Sequence, residues 1–356
     1  MTPLGKALRR RIAQHGPISI ADYMAECLMH PQHGYYTTRP VFGVAGDFTT
    51  APEISQMFGE LLGLSLAQCW IDQGQPERFT LAEAGPGRGT LMADILRATA
   101  NIPGFHDGAE IHLIEASERL RKVQGATLQG HDVTWLDTID ALPDAPLFLV
   151  ANEFFDALPI RQFTRDARGW REHQIGLDND DLVLGLSAPA PICLLDHRLD
   201  DTTPGDIVEV CPTAGPVIDQ IANRISTSGG AALIVDYGDW RSLGDTFQAV
   251  AEHQLVGALD NPGQADLSAH VDFENLTKAA QGVSVSDLVP QGVFLERLGI
   301  AQRAQHLAAN LTGAALESHI AAHRRLTHPD EMGTLFKAIA VFPNDHLPPP
   351  GFTHDA

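Results

Sequence analysis

The sequence predicts an α/β fold built on a mostly parallel sheet with helices on both faces. Two stretches carry this prediction. Residues 80–97 read as a short apolar strand, a glycine turn and the start of a helix. Residues 147–151 form a continuous apolar run, which is typical of a strand buried inside a parallel sheet. Open α/β sheets gather ligand-binding and catalytic groups at the carboxyl ends of their strands, so polar side chains there are the candidates for a site.

The other elements are predicted from periodicity and from turn residues. Helical periodicity covers residues 4–30, breaks at Pro31, and returns over residues 301–328. Residues 160–187 alternate polar and apolar side chains, which predicts an inserted β-hairpin. Residues 207–214 lead into another helix. Further strands are expected at 110–117, 133–136, 229–238 and 333–342.

The pattern also predicts how the chain is divided. We expect an N-terminal helical and flap segment over residues 1–75, then a main domain over residues 76–356 with an insertion around 160–205. Residues 42–60 mix glycines, aromatics, hydroxyls and carboxylates without a clean period. A loop this polar is richer than a connector needs, so we interpret it as a flap over a cofactor. A purely structural loop is the alternative.

The glycine turn has the spacing E-x-G-x-G-x-G, formed by Glu83, Gly85, Gly87 and Gly89. Glycines reach backbone angles that are closed to other residues and let a ligand approach the main chain. The helix that opens near Thr90 offers unpaired N–H groups and a positive dipole end. The turn is therefore suited to hold a polar cofactor, although a plain strand–helix turn has the same local shape.

The spacing narrows the choice of cofactor. The dinucleotide pattern G-x-G-x-x-G, counted from Gly85, needs glycine where Thr90 stands, and no Walker lysine follows. An acidic residue two places before the first glycine is the usual form in S-adenosylmethionine enzymes. A carboxylate there would repel a pyrophosphate at short range. S-adenosylmethionine is therefore the predicted cofactor, and a nicotinamide oxidoreductase is a less favoured alternative.

Glu115 ends the predicted strand 110–117 and lies 26 positions after Gly89. Doubly wound folds place a carboxylate in this position to accept hydrogen bonds from ribose hydroxyls. We expect Glu115, with Ala116 beside it, to belong to the cofactor site. An exposed strand-end acid is the alternative. Trp135, on the next strand, is interpreted as a core residue, and stacking beside an adenine is the alternative.

Three polar side chains, Asn152, Glu153 and Asp156, follow the apolar strand 147–151. Amide and carboxylate groups beside phenylalanines can align a nitrogen nucleophile with a methyl donor, and positioning carries much of such a displacement. A carboxylate can also hold a guanidinium group through paired hydrogen bonds. We therefore predict that these three residues are catalytic, with a capped loop as the alternative. Weaker candidates are Glu209, Asp266, His270 and Asp272.

Composition excludes several classes of function. The formal charge is -21, from 24 basic and 45 acidic residues, which argues against binding to nucleic acid backbones. The four cysteines are far apart, as in a protein with reduced thiols. We find no apolar run of membrane-spanning length, no secretory signal and no His/Cys pattern typical of a metal site.

Five segments also occur in a recognisable order: DFTTAPEISQ at 47–56, EAGPGRGT at 83–90, NEFFDALP at 152–159, DYG at 236–238 and ADLSAHVDF at 265–273. Together they resemble the MidA family of S-adenosylmethionine-dependent methyltransferases, whose mitochondrial members are assembly factors for respiratory complex I. The likeness extends over nearly the whole chain. Two positions depart from the usual pattern, since Ala84 stands where leucine is more usual and Ala51 where serine is more usual.

The resemblance implies a class I methyltransferase fold, Rossmann-like, and a set of site residues. The cofactor-binding residues it implies, together with the glycine turn, are Asp47, Thr49, Glu53, Gln56, Glu83, Gly85, Pro86, Gly87, Gly89, Glu115, Ala116 and Asn152.

The resemblance also implies an activity. It implies symmetric dimethylation of an arginine on a complex I subunit of the 49-kDa type. No mitochondrial presequence is evident, so we expect a bacterial cytoplasmic protein. The alternative is an assembly chaperone that binds the cofactor without catalysis.

Overall fold

A computed structural model describes residues 2–38 and 49–352. Asp47, one of the predicted cofactor residues, lies outside the described residues. The chain forms two compact units. The first contains the described residues up to 38, Asp156–Ala214 and Trp240–Asp272, and the second contains Thr49–Phe155, Gly215–Asp239 and the residues from Phe273 onward. The predicted division at residue 75, with an insertion around 160–205, stays a prediction.

The helices are numbered here in chain order. They are α1 (Pro3–His15), α2 (Ile20–Met29), α3 (Tyr35–Thr38), α4 (Ala51–Ile54), α5 (Gln56–Asp72), α6 (Thr90–Thr99), α7 (Phe105–Gly108), α8 (Glu118–Thr127), α9 (Ala214–Ser228), α10 (Phe273–Ala279), α11 (Gln291–Arg297), α12 (Ile300–Ala308), α13 (Gly313–Thr327) and α14 (Met332–Leu335).

The strands are numbered in the same way. They are β1 (Ile18–Ser19), β2 (Phe79–Ala84), β3 (Ala109–Ile114), β4 (Val133–Leu136), β5 (Leu147–Asn152), β6 (Arg161–Asp166), β7 (Gly169–Asp178), β8 (Asp181–Leu186), β9 (Ile207–Val210), β10 (Gly230–Asp239), β11 (Gln248–Ala251), β12 (Gln254–Val256), β13 (Asp266–Ser268), β14 (Val271–Asp272), β15 (Ser284–Val285), β16 (Val289–Pro290) and β17 (Phe336–Phe342).

The second unit contains the sheet that the two apolar stretches predict. Its strands follow the order β15-β17-β10-β5-β2-β3-β4, and β16 also pairs with β17. Strands β10, β5, β2, β3 and β4 run parallel, whereas β17 is antiparallel to β10. Every residue of β2 and β5 is buried, as expected for central strands of a parallel sheet. This mixed sheet confirms the predicted α/β class.

The order of the strands places three strand ends next to one another. Strand β5 lies between β2 and β10, with Ala84 opposite Ala151 and Val235 opposite Asn152. The glycine turn after β2 and the polar residues after β5 are therefore neighbours at the carboxyl edge of the sheet. Residues at the end of β10 flank β5 on its other side.

Close packing of α5 fixes α6, the helix that follows the glycine turn. A methyl group added at Gly63 of α5 would lie 2.9 Å from the Cα of Ile95 on α6. One added at Gly59 would lie 2.7 Å from the Cβ of Asp94. These distances are shorter than van der Waals contact, so the two glycines allow the helix backbones to approach closely. The N-terminus of α6 is thereby held in one position relative to α5.

The first unit contains a five-stranded sheet with the order β1-β7-β6-β9, in which β8 also pairs with β7, and a three-stranded sheet with the order β12-β11-β13. The predicted hairpin is formed by β6 and β7, with Phe163 opposite Glu172, and continues into β8. The helical periodicity over residues 4–30 corresponds to two helices, α1 and α2. Between them lies β1, in which Ile18 pairs with Ile175 of β7.

Candidate active site

The glycine turn of the second unit has the geometry that its spacing predicts. Gly85, Gly87 and Gly89 have φ values of +67°, +52° and +81°. These left-handed angles favour glycine because a side chain would crowd the backbone. The carbonyl of the buried Pro86 accepts a hydrogen bond from the Gly89 N–H at 2.7 Å, and α6 begins at Thr90, as predicted. The turn therefore exposes main-chain atoms at the start of a helix.

Glu83, at the end of β2, is only 3% exposed. Burial raises the pKa of its carboxyl group to about 8, Asp94 adds to the rise, and a hydrogen bond from the Met92 N–H opposes it. Its Oε2 has no hydrogen-bond partner within residues 2–38 and 49–352. Such a carboxyl group is neutral near pH 7 by itself and would ionise beside a bound cation.

Glu115 directly follows β3 and is also buried. Its Oε1 accepts a hydrogen bond from the Ser117 N–H at 2.7 Å, and its Oε2 accepts one from Gln124 Nε2 at 3.1 Å. Burial raises the pKa of this carboxyl group, while the bonds from Ser117 and Gln124 and the charge of Arg121 oppose the rise. Ala116 lies beside it and is exposed. The carboxylate is held in one orientation with acceptor capacity left on each oxygen.

Gln124 is a member of this site that the sequence interpretation missed. It lies on α8, is completely buried, and donates from Nε2 to the carbonyl of Gly87 at 2.9 Å as well as to Glu115. Its Oε1 accepts a hydrogen bond from Trp135 Nε1 at 2.8 Å. The only signal in the sequence is its position four residues after Leu120, which places both on the buried face of α8.

Asn152 and Glu153 lie together at the end of β5. Asn152 Nδ2 donates to Glu153 Oε1 at 3.1 Å, and the Ala51 N–H donates to the same oxygen at 3.0 Å. Glu153 has a φ of +51°, a left-handed conformation that costs about 1–3 kcal/mol in a residue with a side chain. Its N–H still donates to the carbonyl of Val235 at 2.9 Å. Strain of this kind is concentrated at functional sites, and here it fixes the direction of a carboxylate.

Asp236 stabilises the turn that contains Glu153. This completely buried carboxylate accepts hydrogen bonds from the N–H groups of Phe154 at 3.1 Å and Phe155 at 2.8 Å, and from that of Tyr237 at 2.9 Å. A methyl group added at Gly85 would lie 3.0 Å from the ring of Phe154. The turn after β5 therefore packs directly against the glycine turn after β2.

The N-terminal motif contributes one residue that contacts the glycine turn. Glu53, on α4, accepts a hydrogen bond from Thr90 Oγ1 and forms an ion pair with Arg88 at 3.1 Å. Gln56 instead donates to Glu60 Oε1 at 3.2 Å, away from the turn residues named above. Thr49 is half-buried. Glu53 thus connects α4 to the loop that the sequence predicts to hold the cofactor.

Asp156 belongs to the first unit, where it lies near Tyr36 and Asp266. The Tyr36 hydroxyl donates to Asp266 Oδ1 at 2.7 Å. Burial raises the pKa of Tyr36 well above its usual value, and the charges of Asp266 and Asp156 add to the rise. The carbonyl of Asp156 accepts a hydrogen bond from the Ala269 N–H at 3.0 Å. The structure therefore groups Asp156 with residues of its own unit.

The weaker candidates have structural contacts in the first unit. Glu209 accepts hydrogen bonds from Gln162 Nε2 and the Thr246 N–H, both at 2.9 Å. The His270 N–H donates to Thr246 Oγ1 at 2.8 Å, and Asp272 accepts from the Ser242 N–H at 3.0 Å. The bonds to Ser242 and Thr246 hold the loop after residue 240 in place.

The second unit fits a ligand that carries both hydroxyl and cationic groups. Glu83 Oε2 and Asn152 Oδ1 are buried atoms without a hydrogen-bond partner among the described residues, and Glu83 Oε2 is an acceptor once the carboxyl group ionises. Buried acceptors are normally satisfied, so this pair indicates a missing donor. The ammonium group of S-adenosylmethionine is such a donor, and Glu115 can accept hydrogen bonds from its ribose hydroxyls.

Comparisons with known proteins agree with this chemistry. A family model of S-adenosyl-L-methionine-dependent methyltransferases matches residues 61–290. The mitochondrial protein arginine methyltransferase NDUFAF7 of Homo sapiens is 37% identical over an alignment of 379 residues. The alignment covers 98% of this chain and 85% of that protein. The NDUFAF7 of Xenopus laevis is 38% identical over 367 residues, covering 95% of this chain and 84% of that protein.

A solved structure extends the agreement to the fold. A Burkholderia thailandensis protein crystallised with S-adenosyl-homocysteine has a TM-score of 0.83 and 28% identity, and the match covers 98% of this chain and 94% of that one. S-adenosyl-homocysteine is the product left when S-adenosylmethionine donates its methyl group. The predicted cofactor and enzyme class are therefore confirmed. The chain belongs to the family of S-adenosyl-L-methionine-dependent methyltransferases.

Proposed function

We propose that this enzyme methylates an arginine side chain of a protein substrate. The observation that carries the proposal is the Glu153 carboxylate, which is fixed by a left-handed backbone and two hydrogen bonds next to the glycine turn. A carboxylate suits a guanidinium group because it can accept paired, charge-assisted hydrogen bonds. The relatives named as protein arginine methyltransferases support the same acceptor.

Glu83, the glycine turn and Glu115 are the proposed cofactor-binding residues, with Glu53 supporting the turn. Bound S-adenosylmethionine supplies an electrophilic methyl group on a positively charged sulfur. The buried Glu83 carboxyl group receives a cationic donor, and Glu115 accepts from ribose hydroxyls. The roles of Asp47, Thr49, Gln56 and Ala116 in the cofactor site stay predictions from the sequence.

Glu153 and Asn152 have proposed roles toward the acceptor. Glu153 accepts hydrogen bonds from the guanidinium group, which restricts the orientation of the attacking nitrogen and stabilises the positive charge near it. Asn152 supports Glu153 through its Nδ2, and its Oδ1, which has no hydrogen-bond partner among the described residues, is available to accept an N–H of a bound ligand. Asp156 stays a predicted catalytic residue on the grounds of sequence.

The resemblance to the MidA family extends the proposal to a biological partner and a compartment. The proposed substrate is a respiratory complex I subunit of the 49-kDa type, modified to symmetric dimethylarginine. The proposed location is the cytoplasm of a bacterial cell. In the structure itself, no helix within residues 2–38 and 49–352 is long and apolar enough to cross a bilayer.

Mass spectrometry of the partner subunit tests the proposal. The subunit is isolated from cells that carry the wild-type enzyme, Glu153→Gln, or the control Glu317→Gln on an exposed position of α13. Glutamine keeps the oxygen that Ala51 and Asn152 contact but removes the charge. We expect dimethylarginine with the wild type and the control, and a loss of roughly a hundredfold in methylation rate with Glu153→Gln.

Two outcomes separate the alternatives. An arginine that is unmodified in every sample, although the subunit still assembles normally, would support a non-catalytic chaperone. Equal methylation by Glu153→Gln and the wild type would remove Glu153 from the mechanism.

A further inference from the structure

Gln124 connects Glu115, the carboxylate predicted to bind the ribose, to the glycine turn. It is completely buried in the middle of α8 and contacts three different elements. Its Nε2 donates to Glu115 Oε2 at 3.1 Å and to the Gly87 carbonyl at 2.9 Å, while its Oε1 accepts from Trp135 Nε1 at 2.8 Å. A buried amide costs free energy unless its hydrogen bonds are made, and here both ends of the amide are used.

Trp135 determines which way the amide points. The indole N–H can only donate, so it selects the oxygen end of the Gln124 amide. The nitrogen end must then face Glu115 and Gly87, which are both acceptors. The orientation of the Gln124 amide is thus determined by the donor and the acceptors that surround it.

The two acceptors served by Gln124 lie in the two halves of the proposed cofactor site. Glu115 Oε1 is held separately by the Ser117 N–H, so the Gln124 bond completes the fixing of the carboxylate. The Gly87 carbonyl lies in the middle of the glycine turn, where φ is +52°. A substitution of Gln124 therefore affects the Glu115 carboxylate and the glycine turn at the same time.

We propose that Gln124 is a positioning residue for cofactor binding, and that Trp135 acts through it by fixing the amide. This inference rests on the proposed cofactor site. It assigns the residue to affinity for S-adenosylmethionine, because Gln124 contacts Glu115 and the glycine turn and no described contact joins it to Glu153. The KM for the cofactor should therefore rise, while kcat at saturating cofactor should stay unchanged.

The deciding comparison uses two nearly isosteric variants of the full chain. Gln124→Glu keeps the acceptor for Trp135 but replaces the donor to Glu115 and Gly87 with an oxygen. Gln124→Met removes all three hydrogen bonds without adding charge. If Gln124 only anchored Trp135, Gln124→Glu would bind cofactor better than Gln124→Met. The positioning role predicts the reverse order, because in Gln124→Glu two carboxyl groups face each other.

The experiment is calorimetric titration with S-adenosylmethionine, followed by initial-rate kinetics. We expect the Kd to rise roughly tenfold in Gln124→Met and roughly a hundredfold in Gln124→Glu. The control is Lys122→Met on an exposed position of the same helix, for which we expect the wild-type Kd. Wild-type affinity in Gln124→Glu, or a loss confined to kcat, would overturn the inference.

Trp135→Phe keeps the test decisive if the Gln124 variants do not fold. It keeps an aromatic side chain, although a smaller one, and removes the indole N–H, so the amide can turn its nitrogen away from Glu115. We expect the Kd to rise several-fold, and an unchanged Kd would contradict the inference. A wild-type protein that gives no heat with S-adenosylmethionine would instead refute the proposed cofactor site, so the two failures are distinguishable.

Discussion

Gly85→Ala perturbs the contact between the glycine turn and the turn after β5. Gly85 has a φ of +67°, so an alanine there is strained. Its Cβ would lie 3.0 Å from Cδ2 of Phe154, and 3.6 Å and 3.7 Å from the Cβ and Cγ of that residue. Phe154 is half-buried, and its N–H and that of Phe155 both donate to the buried Asp236, so relief of this contact requires its ring to rotate and not its backbone to shift.

Two terms give the expected loss of stability. The left-handed backbone costs an alanine about 1–2 kcal/mol. Crowding against Phe154 adds about 1–3 kcal/mol, the usual range for an overpacked site. The matched control is Gly74→Ala, at which φ is +85° but no described atom lies within 4 Å of the added methyl group. The control carries the backbone term alone, so Gly85→Ala should be less stable than Gly74→Ala by about 1–3 kcal/mol.

Chemical denaturation measures this difference, and calorimetric titration with S-adenosylmethionine measures its effect on the site. We expect a Kd at least tenfold higher in Gly85→Ala, from displacement of the turn, and a wild-type Kd in Gly74→Ala. Equal destabilisation by the two variants would refute the crowding argument. Wild-type affinity in Gly85→Ala would refute the placement of the cofactor at this turn.

Four further substitutions test the packing and electrostatics around the site. Gly63→Ala should lower stability by about 1–2 kcal/mol because its methyl group meets Ile95 of α6, whereas Gly125→Ala, 3.6 Å from its nearest neighbour, should raise it by about 0.5–1 kcal/mol through helix propensity. Both follow from denaturation midpoints, and the same sign for both would contradict the close helix contact. Burial raises the pKa of Glu83 from 4.5 to about 8, so the folded state is favoured when this group is protonated, and the stability of the cofactor-free protein should fall as the pH rises between these values. Glu83→Gln should lessen that fall in midpoints measured from pH 5 to pH 8, and an unchanged profile would show that Glu83 is not the cause. Asp236→Ala should destabilise the protein by about 3 kcal/mol or more in the same assay, because three N–H groups, two of them in buried bonds, lose their acceptor, and a loss below about 1 kcal/mol would contradict this role.

The parts of the site that are local in sequence were predictable. The turn at Gly85, Gly87 and Gly89 and the helix start at Thr90 follow from the requirements of consecutive backbone angles. Strand β5 was predictable because its residues are apolar without a break, as burial on both faces demands.

The parts that depend on distant partners were not predictable. Helix α1 is capped at its C-terminus by Gly16, whose φ is +89°, directly before Pro17, so the break itself has a local signal, whereas the pairing of Ile18 in β1 with Ile175, more than 150 residues later, has none. No periodicity within residues 4–30 carries information about that pairing.

Gln124 was missed for a related reason. A glutamine in a polar helix is ordinarily a surface residue, and its burial depends on Glu115, Gly87 and Trp135 meeting around it. Glu153 was predicted as a polar residue at a strand end. Its left-handed backbone, its N–H bond to Val235 and the bond from the Ala51 N–H to its side chain involve distant residues that the local sequence does not reveal.

A crystal structure of the protein with S-adenosyl-homocysteine tests the central claim most directly. The account predicts that the ribose hydroxyls contact the Glu115 carboxylate and that the amino-acid end lies beside Glu83 and the glycine turn. A ligand bound elsewhere, with Glu83 and Glu115 remote from it, would contradict the account.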